Sequence, residues 1–123
     1  MAQPIADSRD LLVRGAAQLG LAVDTAGVER LLIYLAEVMK WSRRGNLLAR
    51  DTPEAQAVET HFLDSLTLLP FVDEAAAPHL LDVGSGDGFP GLALACVRPE
   101  ARCTLCEPRQ KRVSFLRHVV RTL

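Results

Sequence analysis

The sequence predicts an α/β fold, a parallel sheet preceded by a helical region, and three observations carry that reading. In the first half of the chain Val28, Leu31, Leu32, Leu35 and Met39 recur at the spacing of a buried helical stripe. The apolar run Leu80–Val83 then enters the glycine-rich stretch Asp82-Val83-Gly84-Ser85-Gly86-Asp87-Gly88-Phe89-Pro90-Gly91, which leads into a helix. A second short strand, Arg102–Cys106, follows and ends at the acid Glu107. Strand, helix and strand in that order are the parts of a parallel pair joined by a helical crossover.

Taken in chain order, Ser8 is placed to cap a helix reaching Leu19, with Gly20 as its stop. Asp24 or Thr25 caps the longer helix that carries the apolar stripe. Asp51 or Thr52 before Pro53 opens a third helical stretch, because proline is preorganised for the first helical position. That stretch passes through Glu59–Leu66 and ends near Pro70, and Asp73–Pro78 reads as a linker of small and polar residues. The chain therefore divides into a helical region, residues 1–77, and the first part of a cofactor-binding α/β domain, residues 78–123. Leu92–Val97 is apolar on every side, so both of its faces need cover, and the N-terminal helices are the candidates. Pro108 opens the last helix, whose apolar stripe is Val113, Leu116, Val119, Val120 and Leu123. A doubly wound sheet needs several strands covered on both faces, and two are identifiable. The sheet is thus expected to be incomplete, the first part of a larger fold, and an isolated chain of this kind is expected to expose apolar surface and either self-associate or fold loosely.

At 123 residues, 49% hydrophobic and 24% charged, the composition is that of one soluble globular domain. No uncharged apolar run approaches the ~20 residues needed to span a bilayer, and the first residues lack the blocks of a signal peptide. A cytoplasmic location without membrane contact is the expectation. The three cysteines Cys96, Cys103 and Cys106 argue against a disulfide framework. Cys103 and Cys106 are three apart in a strand and point to opposite faces, so they read as small buried hydrophobes and not as metal ligands. The net charge of −1 conceals a segregation: Met1–Pro108 holds 9 basic and 15 acidic residues, whereas Arg109–Leu123 holds five basic residues and no acid. Those five are Arg109, Lys111, Arg112, Arg117 and Arg121; Lys40, Arg43, Arg44 and Arg50 form a second acid-free cluster. Two such patches suit a polyanionic substrate, and they equally suit solvated helix faces.

The glycine stretch carries the most chemistry. Glycine reaches conformations closed to other residues and removes the side chain that would hold a ligand off the backbone. Gly84, Gly86 and Gly88 are therefore expected to let a cofactor lie against the main chain, at the carboxyl end of a strand, where open α/β sheets bind ligands. A dinucleotide site would put its third glycine where Phe89 stands. Glu107 lies near the ~20-residue offset at which such folds place an acid for ribose hydroxyls. Asp82 has two readings, a contact to the cofactor or a bond to local backbone N–H groups. The D-x-G-x-G-x-G pattern resembles the cofactor motif of S-adenosylmethionine-dependent methyltransferases, whose fold is Rossmann-like.

Five ordered blocks narrow the resemblance. Lys40-Trp41-Ser42 with Asn46-Leu47, His61-Phe62-Leu63-Asp64-Ser65, the glycine stretch with its Phe89-Pro90-Gly91 ending, Val97-Arg98-Pro99-Glu100 and Lys111-Arg112-Val113-Ser114-Phe115-Leu116 are in the sequence in that order. Together, from about Leu11 to Leu123, they resemble the bacterial small-subunit ribosomal RNA guanine-N7 methyltransferases, the glucose-inhibited division protein B family. The resemblance implies S-adenosyl-L-methionine as cofactor, small-subunit ribosomal RNA as partner, and methyl transfer to one guanine N7 as reaction, with no catalytic acid or base. By the same resemblance Gly84 and Phe89 match turn residues that touch the cofactor, and Glu107 matches the acidic strand end. Arg43, Arg44, His61, Lys111 and Arg112 are the candidates for contact with RNA. His61 and Asp64 also suit a structural hydrogen bond on a helix, and Trp41 suits either stacking on a base or anchoring its helix in the core. The alternative function is a non-catalytic relative that keeps only an RNA-binding basic surface.

Overall fold

A computed structural model describes residues 3–45 and 51–123; Asn46, Leu47 and Arg50, named above, lie outside the described residues. Helix α1 spans Gln3–Gln18 and α2 spans Thr25–Ser42. The first ends as expected at Gly20, whose φ of 71° lets the Gly20 N–H reach the Ala17 carbonyl (3.0 Å) and the Leu21 N–H reach that of Ala16 (2.9 Å). This is a Schellman stop, which satisfies carbonyls the helix leaves open. Ser8 is not a cap. It lies within α1, 2% exposed, and its hydroxyl donates to the Glu54 carboxylate, so a buried position that crosses to another element has claimed it. At α2 the choice falls to Asp24, whose carboxylate accepts from the Gly27 N–H at 2.7 Å.

The third helical stretch is segmented. It enters through Pro53 as N-cap into α3, Glu54–Ala57, widens into a π-helical segment, Val58–Leu63, and returns to α-helix as α4, Asp64–Leu66. A further helix, α5, covers Leu69–Glu74. Three expectations need correction here. Pro53 is the N-cap and not the first helical residue, its backbone extended at ψ 145°, so neither Asp51 nor Thr52 caps the helix. Pro70 lies in the first turn of α5 and does not mark an end, since that turn needs no N–H from it. Asp73 and Glu74, read as linker, are helical, and Asp73 is held there by a two-pronged ion pair with Arg98 (2.7 and 3.0 Å). The same guanidinium donates to the Ala22 carbonyl at 2.9 Å and keeps the Asp73 carboxyl below its ordinary range.

The α/β part is β1 (His79–Val83), α6 (Gly91–Val97), β2 (Arg102–Cys106) and α7 (Gln110–Thr122). The strands pair in parallel from His79 opposite Arg102 to Val83 opposite Cys106. Alternation along both strands splits the sheet into two unlike faces. Leu80, Asp82, Cys103 and Leu105 are half-buried on the side of α6. His79, Leu81, Val83, Arg102, Thr104 and Cys106 form the other face, where Leu81 is 65% and Val83 77% exposed. Cys106 therefore departs from the expectation of burial, while Cys96 meets it, its thiol pushed up to about 12 by desolvation.

One continuous core runs from Leu12 to Val119 and joins the helical region to the α/β part. The apolar helix α6 is buried at Leu92, Ala93, Leu94, Cys96 and Val97, with α2 packed on it and Arg30 of α2 donating from Nε to the Cys96 carbonyl at 2.6 Å. Helix α7 is rotated relative to the stripe read from its sequence. Phe115, Leu116 and Val119 are buried, Val113 is half-buried, and Val120 and Leu123 are exposed. The rotation brings Phe115 edge-on to Trp41 (5.3 Å between ring centres) and within 6.4 Å of Tyr34, aromatic contacts worth about 0.5–1.5 kcal/mol each beyond the area they bury.

This orientation predicts a sharp contrast between two positions on α7. Phe115→Ala is expected to cost about 3–5 kcal/mol, and Val120→Ala no more than about 0.5 kcal/mol. Urea unfolding of both variants checks it; similar losses at the two positions would mean that α7 packs by its other face.

Candidate functional site at the glycine turn

The turn leaving β1 is tied to the end of β2. The N–H groups of Gly84 and Ser85 both donate to the Cys106 carbonyl, at 2.8 and 3.0 Å, and the Ser85 hydroxyl donates back to the Asp82 carbonyl at 2.9 Å. Gly84, Gly86 and Gly88 all take positive φ, at 75°, 54° and 98°. Their surroundings differ. A Cβ on Gly84 would meet nothing within 4 Å, whereas one on Gly88 would lie 2.6 Å from the Tyr34 hydroxyl and 3.0 Å from the Leu92 Cβ. Gly88 was expected to offer bare backbone to a ligand beside the other two, and this is corrected: it faces the core, and packing requires its missing side chain. Gly84 presents the open surface, with Gly86 beside it under the Arg112 guanidinium, 3.7 Å from a Cβ position.

Glu107 bonds to the turn beside this surface, at Gly86. Its two carboxylate oxygens accept from the Gly86 N–H (2.8 Å) and the Arg109 N–H (2.9 Å), bonds that hold its carboxyl below the ordinary range, Arg109 first. Each oxygen keeps a second lone pair for a further donor. Asp82, for which two readings stood open, accepts from the Gly91 N–H at 3.0 Å, the local backbone bond. It thereby fixes the start of α6 against the strand.

The far side of the turn is anchored from α2. The buried Tyr34 hydroxyl donates to the Asp87 carbonyl, and burial raises the phenol well above its ordinary value. The Asp87 carboxylate pairs with Arg112 of α7; burial pushes its carboxyl up, and Arg112 and then His61 oppose that push. Phe89 follows, joined to Pro90 by a cis peptide bond, with its ring stacked on Tyr34 (5.2 Å between centres) and on His61 (5.3 Å) and edge-on to Phe62 (5.0 Å). His61 comes from the π-helical segment, a feature that helical spacing in the sequence did not reveal and that is common at functional sites. Its expected hydrogen bond to Asp64 is absent among the described residues, and the two side chains instead line a cavity of about 250 Å³ with Phe89 and Pro90. Trp41 takes the anchoring role: it is half-buried, against Phe115 and 5.9 Å from the His118 ring, whose Nε2 lies 2.9 Å from Glu37.

Of the basic candidates, Arg43, Arg44, Lys111, Arg109, Arg117 and Arg121 are exposed. Arg112 is half-buried and committed to Asp87, so it braces the turn. Tyr34 and Asp87 were not singled out in the sequence. The signal for Tyr34 was available, since it lies three residues after Leu31 and so widens the apolar stripe of α2. The described residues hold no group of His, Cys, Asp and Glu arranged to bind a metal ion, and no helix long and apolar enough to cross a membrane.

Comparison with known proteins places this geometry in a family. Residues 27–123 match the family GidB, described as rRNA small subunit methyltransferase G. The chain is 54% identical over 112 residues to the ribosomal RNA small subunit methyltransferase G of Desulfotalea psychrophila, covering 91% of this chain and 51% of that protein. The protein of the same name from Anaeromyxobacter dehalogenans is 46% identical over 110 residues, 89% of this chain and 50% of its own length. That from Geobacter metallireducens is 40% identical over 117 residues, 95% and 52%. The chain spans about half the length of the curated relatives it matches.

The bonding of Glu107 sets a pH dependence. Its carboxyl is lowered from 4.5, so its contribution to stability is present above that value and lost as the pH falls through the lower folded value. Glu107→Gln keeps one acceptor of two, and is expected to be less stable than the parent at neutral pH by a margin that narrows in acid. Denaturant titrations from neutral to acid pH check this; a margin that widened in acid would contradict it.

Proposed function

The chain belongs to the GidB family of rRNA small subunit methyltransferase G, and from that premise we propose that it carries the cofactor turn of an S-adenosylmethionine-dependent enzyme that methylates N7 of a guanine in small-subunit ribosomal RNA. Residues 78–123 would then be the first part of a Rossmann-like cofactor domain and residues 1–77 the helical region ahead of it. The observation that carries the reading is the open, positive-φ backbone at Gly84, next to Gly86, whose N–H donates to a Glu107 carboxylate that keeps acceptor capacity.

The residues present suit that cofactor. Its ribose hydroxyls are donors, and the Glu107 oxygens retain acceptor capacity beside the Gly86 backbone. The third glycine of a pyrophosphate loop is replaced by Phe89, whose ring is half-buried in an aromatic cluster, which favours a ligand without phosphate. S-adenosylmethionine, when bound, supplies an activated methyl group. Guanine N7 carries a lone pair and no proton, so the protein has no proton to remove and its task is alignment, an effect worth up to ~7–11 kcal/mol. Gly84 and Gly86 admit the cofactor, Glu107 orients it, and Asp87, held by Tyr34 and Arg112, fixes the turn between them. The exposed basic residues Lys111, Arg43 and Arg44 supply phosphate contacts that position an RNA without reading its sequence. A cytoplasmic site of action accords with such a substrate.

Two measurements test this reading. Isothermal titration with S-adenosylmethionine is expected to show binding to the parent chain and none to a folded Gly84→Val variant, since a branched residue at φ 75° both strains the turn and fills the open surface; equal affinities would remove the turn from the site. Filter binding to a small-subunit ribosomal RNA fragment at several salt concentrations is expected to give a log–log slope flatter by about 0.7 in Lys111→Ala, and an unchanged slope would take Lys111 off the RNA.

A further inference from the structure

The cavity between the π-helical segment and the Phe89-Pro90 corner has a chemistry that the cofactor reading leaves unused. Of its polar lining, the hydroxyls of Thr60 and Ser65 already donate to the carbonyls of Gln56 (2.7 Å) and His61 (2.6 Å). The Asp64 carboxylate is exposed and has no hydrogen-bond or ionic partner among the described residues. Facing the same cavity are the stacked rings of His61 and Phe89, 29° from parallel, and the ring of Pro90. A cavity lined by aromatic rings with one free carboxylate suits a planar heterocycle that offers two adjacent N–H donors, because an ionised carboxylate only accepts and does so through two oxygens.

We infer that this cavity receives the target base and that Asp64 reads the Watson–Crick edge of guanine. The inference rests on the proposed action on ribosomal RNA. Guanine is the nucleobase whose Watson–Crick edge sets a ring N–H beside an amino group; adenine puts a ring acceptor there, which a carboxylate repels. Gripping that edge leaves N7, on the opposite side of the ring system, free to react. Unstacked bases in RNA are recognised in this way, by stacking on aromatic side chains and bonding along the Watson–Crick edge. The π-helical segment is what brings His61 onto Phe89 while Asp64, three residues on, opens the following α-helix. Asp64 is thus a specificity residue for the base, separate from the Gly84–Glu107 surface.

The test is an NMR titration of the 123-residue chain, following the ring signals of His61 and Phe89, with the 5′-monophosphates of guanosine, inosine and adenosine. These share ribose and phosphate, so any difference among them belongs to the base and not to the basic patches. The guanosine nucleotide is expected to shift both rings, the inosine nucleotide, which lacks the amino group, to bind about tenfold more weakly, and the adenosine nucleotide to leave both rings unmoved at the same concentrations. Asp64→Asn is on the surface and is expected to weaken the guanosine nucleotide about tenfold and erase its advantage over inosine, with Glu59→Gln, an exposed carboxylate of the same helical stretch outside the cavity lining, as an unaffected control. Equal shifts from guanosine and adenosine nucleotides, or an unchanged guanosine affinity in Asp64→Asn, would overturn the inference. Absence of S-adenosylmethionine binding at Gly84 with this preference intact would overturn methyl transfer and leave the base pocket standing, so the two readings fail separately.

Discussion

The hydroxyl of Tyr34, buried among the rings of Phe62, Phe89 and Phe115, donates to the carbonyl of Asp87, and the rest of the site is arranged around that bond. A phenol without a partner in such surroundings would carry a desolvation cost of about 1–3 kcal/mol. The bond removes that cost and joins the longest helix to the turn after the first strand. It also explains the amino acids nearby. Gly88 must lack a side chain because the Tyr34 hydroxyl occupies its place, and Arg112 must reach across from α7 because Asp87, drawn inward with its carbonyl, brings a half-buried carboxylate with it. The turn is therefore held on three sides, by α2, by α7 and by the end of β2, while the backbone at Gly84 stays uncovered. A turn fixed in this way meets a ligand without having to be ordered by it.

The division of labour among the glycines and acids follows from the same arrangement. Alternate glycines look equivalent in sequence, yet one faces solvent and another the core. Three acids flank the turn and do three different things. Asp82 holds the first N–H of α6, Asp87 receives Arg112, and Glu107 bridges the turn to the segment after β2 while keeping lone pairs free. Of the three, Glu107 is the one bonded to the backbone of the open part of the turn, at Gly86. Across the Phe89-Pro90 corner Asp64 is the unspent carboxylate beside spent hydroxyls.

The sheet shows how strongly the chain is one-sided. The face toward α6 is covered, while the opposite face leaves Leu81 and Val83 largely in solvent, with Phe71 of α5 also 69% exposed. A parallel pair normally has helices over both faces.

Much of this was determined by the sequence alone, because it depended on neighbours along the chain. The end of α1 and the start of α2, the span of β2, the opposite facing of Cys103 and Cys106 and the conformation of Gly84 follow from a Schellman glycine, an Asp cap, a two-residue period and a left-handed turn, each local. The ordered blocks likewise marked the family. Tertiary structure decided what local pattern leaves open. It turned α7 about its axis to bury Phe115 and expose Val120, drew Ser8 to Glu54 and away from a cap, widened Val58–Leu63 into a π-helix, and set Gly88 against Tyr34. Each of these outcomes is a contact between residues at least 26 apart in the chain, or a change of helical pitch that lets such a contact form. Periodicity records which side of a helix is apolar, but only packing selects which neighbour that side meets, and on that selection the roles of the glycines and acids depend.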